Sequence, residues 1–222
     1  MRSWKGFVVY AAMLGAFLTG YTADRWRHID VPAHWPVRTL AIQAQAAQLQ
    51  KIDWLLLGDS IVELAAVPSL CGGSVLNAGL ASAGVDEVAG IVSGLGSFRA
   101  AHVLIAVGVN NAARARGTDA VEFAKTYGEL ISSAKAISSD VYVAVIAPVA
   151  KGMPAGDQYF DTAKIAEFND LIRHLSGVRL IDFAVLAGQD GFLPAAWTVD
   201  GVHFTPPGYA AWHSVIEKAA CN

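Results

Sequence analysis

Charge and cysteine are both scarce in this 222-residue chain. Only 16 % of its residues are Asp, Glu, Lys or Arg, against 54 % hydrophobic, which rules out an intrinsically disordered polymer. There is no basic run. Residues 1–50 hold five Lys/Arg and two acids, so the formal charge of −3 conceals −6 over residues 51–222. No nucleic-acid partner is expected, because neutralisation of phosphates supplies most of that affinity. Cysteine is limited to Cys71 and Cys221, neither in a C-x-x-C pair, which removes support for zinc or thioredoxin-like chemistry. The even count suits an exported protein with one disulfide, but the spacing does not decide between a bridge and two separate thiols. Internal repeats and low-complexity tracts are missing too. So is G-x-S-x-G: Val62 stands where the second glycine would be, and the α/β-hydrolase elbow has no support.

What is present begins with an uncharged stretch from Gly6 to Ala23, preceded by Arg2 and Lys5. Eighteen helical residues rise about 27 Å, close to the ~30 Å of a bilayer's hydrocarbon core. Trp4 at one end and Tyr21 and Trp26 at the other suit the two interfaces. Residues 1–23 are therefore expected to form a hydrophobic helix, an uncleaved signal anchor. A removed signal peptide is the alternative, although cleavage after Ala23 would leave bulky Tyr21 where a small residue is wanted. The charge balance tilts the orientation towards an N-terminus inside and the rest of the chain outside the cytoplasm. Residues 24–50 read as a connector broken by Pro32 and Pro36, with a helix from Val37 to Gln50.

Beyond residue 50 short apolar runs recur at Trp54–Leu57, Val75–Leu76, Val103–Val107, Val141–Ile146 and Val178–Ile181. Segments of helical spacing separate them at Val85–Leu95, Ala120–Ile137 and Thr162–Leu175. Strands apolar on both faces that alternate with helices predict a parallel sheet covered on both sides. The expectation is one α/β domain over residues 51–222, a three-layer α/β/α sandwich on a five-stranded parallel sheet. Thr205 followed by Pro206 marks the start of a last helix. In such a sheet, ligands bind beyond the carboxyl ends of the strands.

The first such end is Trp54-Leu55-Leu56-Leu57-Gly58-Asp59-Ser60. A buried strand stops at a glycine and a serine opens the next helix, which presents Oγ at the sheet edge beside helix N-terminal amides. Alone, Ser60 reads as a helix cap before it reads as a nucleophile. A base is available in Asp200-Gly201-Val202-His203. Serine needs a base to take its proton, and the imidazole needs a carboxylate to hold its tautomer; a three-residue offset supplies both groups from one turn.

These segments resemble the SGNH hydrolase family, the GDSL-type esterases and lipases, from about Trp54 to the end of the last helix. Four blocks fall in the family's order at strand ends: Gly58-Asp59-Ser60, Asn77-Ala78-Gly79, Gly108-Val109-Asn110-Asn111 and Asp200-Gly201-Val202-His203. The resemblance implies a flavodoxin-like SGNH fold, with Ser60 as nucleophile, His203 as base and Asp200 as its orienting acid. It also implies an oxyanion hole made by the N–H groups of Ser60 and Gly79 and the side-chain amide of Asn110. Asn111 departs from the aspartate common in the family, which bears on turn hydrogen bonding more than on catalysis.

The function expected is a serine esterase that hydrolyses a carboxylic ester outside the cytoplasm, acting on a small-molecule or polysaccharide ester without metal or organic cofactor. An O-acyltransferase of cell-envelope polysaccharide and a silent carbohydrate-binding module are the alternatives. The segment Ala150–Phe160, with Met153, Tyr159 and Phe160, reads either as a substrate wall or as a loop packed on the core. Asp170 and His174, a possible metal pair at i, i+4, read as surface polar residues.

Overall fold

The computed structural model describes residues 31–49 and 51–221. The hydrophobic segment expected at 1–23 lies outside them, and among the described residues no helix is long and apolar enough to cross a membrane. The chain divides into two compact units, Met1–Val37 and Arg38–Asn222. Of the first, residues 31–37 are described, as the opening turns of helix α1 (Val31–Leu49). The expected break at Pro32 and Pro36 does not occur. Pro32 sits in the first turn, where a missing N–H leaves nothing unpaired, and Pro36 forfeits one helical hydrogen bond while the helix continues.

The second unit builds a six-stranded sheet of β1 (Lys51–Gly58), β2 (Ser69–Leu70), β3 (Gly73–Gly79), β4 (Arg99–Ala106), β5 (Asp140–Ala144) and β6 (Arg179–Ile181). Their order is β2-β3-β1-β4-β5-β6, with every pair parallel except β2 with β3. The sheet is thus mixed and not the five-stranded parallel sheet that was predicted. The five apolar runs are its parallel strands. The sixth is a two-residue edge strand, too short for any periodicity, folded back by the turn Cys71-Gly72. Both turn residues have positive φ (51° and 75°), as the favoured two-residue hairpin requires.

From β1 the chain steps outward through α2 (Ser60–Leu64) to β3. It then returns through α3 (Val85–Ser93) to β4, and proceeds by α4 (Ala120–Ile137) and α5 (Thr162–Arg173) to β5 and β6. α3 packs on α4 and α4 on α5, and the right-handed rule for crossovers puts these three on one face and α2 on the other. The last helix, α6 (Pro206–Ala220), packs against β6. Both faces are covered, so Leu55, Leu56, Leu57, Val103, Leu104 and Ile105 are all buried. The chain reverses direction at β1, and Gly58 aligns with Gly79 on one side and Ala106 on the other. Three strands end flush, and the loops that leave them meet at the switch point where a parallel sheet binds ligands.

Candidate active site

Ser60 is the first residue of α2, directly beyond β1. Asp59 caps that helix, its Oδ1 accepting the Ile61 N–H at 2.9 Å. From the other end of the chain, the turn before α6 brings in the base. Thr198 Oγ1 donates to the His203 carbonyl (2.8 Å) and accepts the Gly201 N–H (2.9 Å), so the turn is braced from inside. Asp200 Oδ1 accepts the N–H groups of Val202 (3.1 Å) and His203 (3.0 Å). Its Oδ2 lies 2.6 Å from His203 Nδ1, and His203 Nε2 lies 2.8 Å from Ser60 Oγ. A carboxylate can only accept, so Nδ1 carries the proton and Nε2 is left to receive the serine hydroxyl. Burial pushes the Asp200 carboxyl up, but the hydrogen bonds from His203 and Val202 outweigh it and hold the group below its ordinary value. Tyr209 of α6 donates to the Ile61 carbonyl at 2.8 Å, which fastens the helix behind the base to the helix of the serine.

The three expected oxyanion donors fare differently. The N–H of Ser60 has no partner among the described residues. Asn110, in the 3-10 turn Asn110–Ala112 after β4, donates one amide hydrogen to the Ala83 carbonyl at 2.9 Å and keeps a second. Gly79 does not qualify: its N–H is taken by Asn77 Oδ1 at 2.9 Å, and its α-carbon is buried against the backbone of Val62 and Glu63, where a Cβ would collide. The glycine serves close packing of β3 on α2. Asn77 also bonds the Val62 and Ala65 carbonyls at the end of that helix.

Three residues further on, Ser82 was not singled out by the sequence. It is exposed, has a φ of 63°, and its N–H has no partner among the described residues. Its neighbours fix the place: Leu80 N–H donates to the Gly58 carbonyl at 2.9 Å, and Ala83 accepts from Asn110. The turn therefore lies between the nucleophile's loop and the Asn110 loop. A left-handed non-glycine residue is a local strain that tends to mark functional sites, yet nothing in Leu80-Ala81-Ser82-Ala83-Gly84 displays it. Asn111, the departure noted above, is buried, and its Oδ1 accepts the Val85 N–H at 3.1 Å, a turn role as expected.

Residues 150–160 form a strap. Ala150 N–H donates to the Gly201 carbonyl (2.8 Å) and Ala155 N–H to that of Asp200 (3.2 Å), while Arg114 N–H donates to the Tyr159 carbonyl (3.1 Å). Phe160 is core; Tyr159 is half exposed. His174 turns its Nδ1 to the Asp170 carbonyl, 2.7 Å away, within its own helix.

A part-exposed serine–histidine–carboxylate relay at the switch point of a parallel sheet coincides with a family model, the GDSL-like Lipase/Acylhydrolase family, which matches residues 56–211. The chain belongs to that family. As a GDSL-like hydrolase it also resembles several solved structures. A protein from Streptococcus pneumonia named for platelet activating factor aligns with a TM-score of 0.68 and 18 % identity over 90 % of this chain and 97 % of its own. A GDSL-like lipase from Bacteroides thetaiotaomicron gives a TM-score of 0.63 at 18 % identity, over 82 % and 96 %. The lipase/acylhydrolase from Enterococcus faecalis gives 0.58 at 18 % identity, over 76 % and 93 %. At such identities the likeness is one of fold. No curated protein matches the chain.

Proposed function

We propose that this hydrolase cleaves a carboxylic ester in two steps through an acyl-enzyme on Ser60. The observation that carries the reading is the continuous relay from Ser60 Oγ through His203 to Asp200 at 2.8 and 2.6 Å. His203 Nε2 takes the hydroxyl proton as Oγ attacks the carbonyl carbon, and Asp200 stabilises the imidazolium that forms. The carbonyl oxygen becomes an oxyanion held by the N–H of Ser60, the N–H of Ser82 and the second amide hydrogen of Asn110. Collapse of the adduct breaks the C–O bond, and His203 returns its proton to the departing alcohol. Water, activated by the same imidazole, then releases the acid. The substrate is a small-molecule or polysaccharide ester. The enzyme works outside the cytoplasm, a location supported by the Cys71–Cys221 disulfide.

Hydrolysis of p-nitrophenyl acetate tests the chemistry. Ser60→Ala is expected to remove turnover without changing the melting temperature, and Asp200→Asn to slow it by about 10⁴-fold through the wrong histidine tautomer. Turnover by Ser60→Ala within tenfold of the parent would refute the assignment.

A further inference from the structure

Three consecutive backbone positions that follow Ser82 are each tied to the loop that follows β4. The Ala83 carbonyl accepts from Asn110 Nδ2 (2.9 Å), and the Val85 N–H donates to Asn111 Oδ1 (3.1 Å). Between them, the Gly84 N–H donates to Glu87 Oε2 at 2.6 Å, and that same oxygen receives Arg116 Nη2 at 2.6 Å. The guanidinium also reaches Asp86 Oδ1 at 2.7 Å. It lies flat on Gly84: a Cβ built there would stand 2.6 Å from Nη2, 2.7 Å from Cζ and 2.9 Å from Nη1. A side chain at residue 84 is therefore incompatible with the cation's position.

This arrangement exceeds what α3 needs. Glu87 alone completes the cap by accepting the Gly84 N–H; the arginine adds a link from that cap to the other loop. Its ion pair with Glu87 is short, charge-assisted and mostly shielded from water, with side-chain exposures of 26 % and 23 %. An oxyanion hole works because its donors are fixed before charge develops. Asn110 and Ser82 sit on separate loops, so their separation is set by whatever joins those loops.

We propose that Arg116 is a positioning residue, which by gripping Gly84 and Glu87 holds the Ser82 N–H and the Asn110 amide at the spacing the oxyanion requires. The proposal rests on the oxyanion reading given above. Its effect belongs to the transition state: substrate binding needs no precise donor spacing, whereas a misplacement of the order of 1 Å can cost about 10²-fold in rate.

The test is steady-state kinetics of Arg116→Met, Arg116→Lys, Gly84→Ala and Asn110→Ala on p-nitrophenyl acetate, with active sites titrated by a fluorophosphonate. Inhibition by a trifluoromethyl ketone, which forms a tetrahedral adduct on the serine, is measured alongside. Arg116→Met is expected to lower kcat per titrated site at least tenfold with KM within twofold, and to weaken the ketone by the same factor as kcat. Arg116→Lys should recover part of the loss. Gly84→Ala, which evicts the guanidinium by a different route, should reproduce it and serves if Arg116→Met folds poorly. Unchanged kcat per titrated site in both Arg116→Met and Gly84→Ala, or a loss confined to KM, would overturn the proposal. If Asn110→Ala leaves kcat unchanged, the oxyanion reading itself fails, a result separable from failure of the clamp.

Discussion

Asp59 sits one residue before the nucleophile, and its carboxyl is almost completely buried. Burial pushes it up from 3.8 to about 7, against the opposing pull of the Ile61 N–H and of His203. The same burial, with Asp59 nearby, raises the Tyr209 phenol, which stays a neutral donor to α2. For Asp59 the linkage has a definite sign. An unfolded chain releases this proton near pH 4, whereas the folded protein keeps it until about pH 7, so the stability contributed by the neutral group is complete below pH 4 and is lost as pH rises through 7. Three pH units correspond to on the order of 4 kcal/mol. Asn at this position can still accept the Ile61 N–H as a cap but cannot ionise. Asp59→Asn is therefore expected to melt at least 5 °C above the parent at pH 8, the gap closing towards pH 4, in thermal unfolding followed by circular dichroism. Parallel curves across that range would show that the carboxyl does not titrate as its burial implies.

Among elements, legibility followed the range of the interactions. The Thr205-Pro206 start of α6 is determined within four residues, with Thr205 accepting the Gly208 N–H, and it lies where the pattern predicts. The span Ala120–Ile137 likewise matches α4, since capping by Asp119 and one apolar face suffice to define it. Five strands were visible as buried apolar runs. What escaped carries no pattern of its own. β2 is two residues long and exists because its backbone pairs with β3 across the adjacent two-residue turn. The commitment of the Gly79 N–H arises from Asn77, whose side chain is set in turn by the end of α2 and by Arg38. Ser60, Asp200 and His203 converge as expected because each lies within a few residues of an element boundary. The turn at Ser82, proposed above as the oxyanion donor in place of Gly79, shows no signal in the sequence because its φ of 63° is held by bonds to two neighbouring loops.

On the scale of the molecule, catalysis and covalent stability occupy opposite ends of β3. The strand's carboxyl end feeds the Ser82 turn. Its amino end follows the hairpin turn, where Cys71 is bonded to Cys221 just beyond α6, across a sequence separation of 150. Closing a loop of that size is worth about 5 kcal/mol by chain entropy, or roughly 10 °C or more in a domain of this length. Reduction is thus expected to lower the melting temperature by at least 5 °C while leaving kcat at 25 °C within twofold. An unchanged melting temperature, with both thiols shown free by alkylation, would contradict a stabilising role for the bridge.

The relay itself is open to one direct measurement: reaction with a fluorophosphonate, followed by peptide mapping of the adduct. The expected result is a single modified residue, Ser60, with labelling abolished in Ser60→Ala and slowed at least a hundredfold in His203→Ala. An adduct on any other serine, or labelling of Ser60→Ala at the parent's rate, would contradict it.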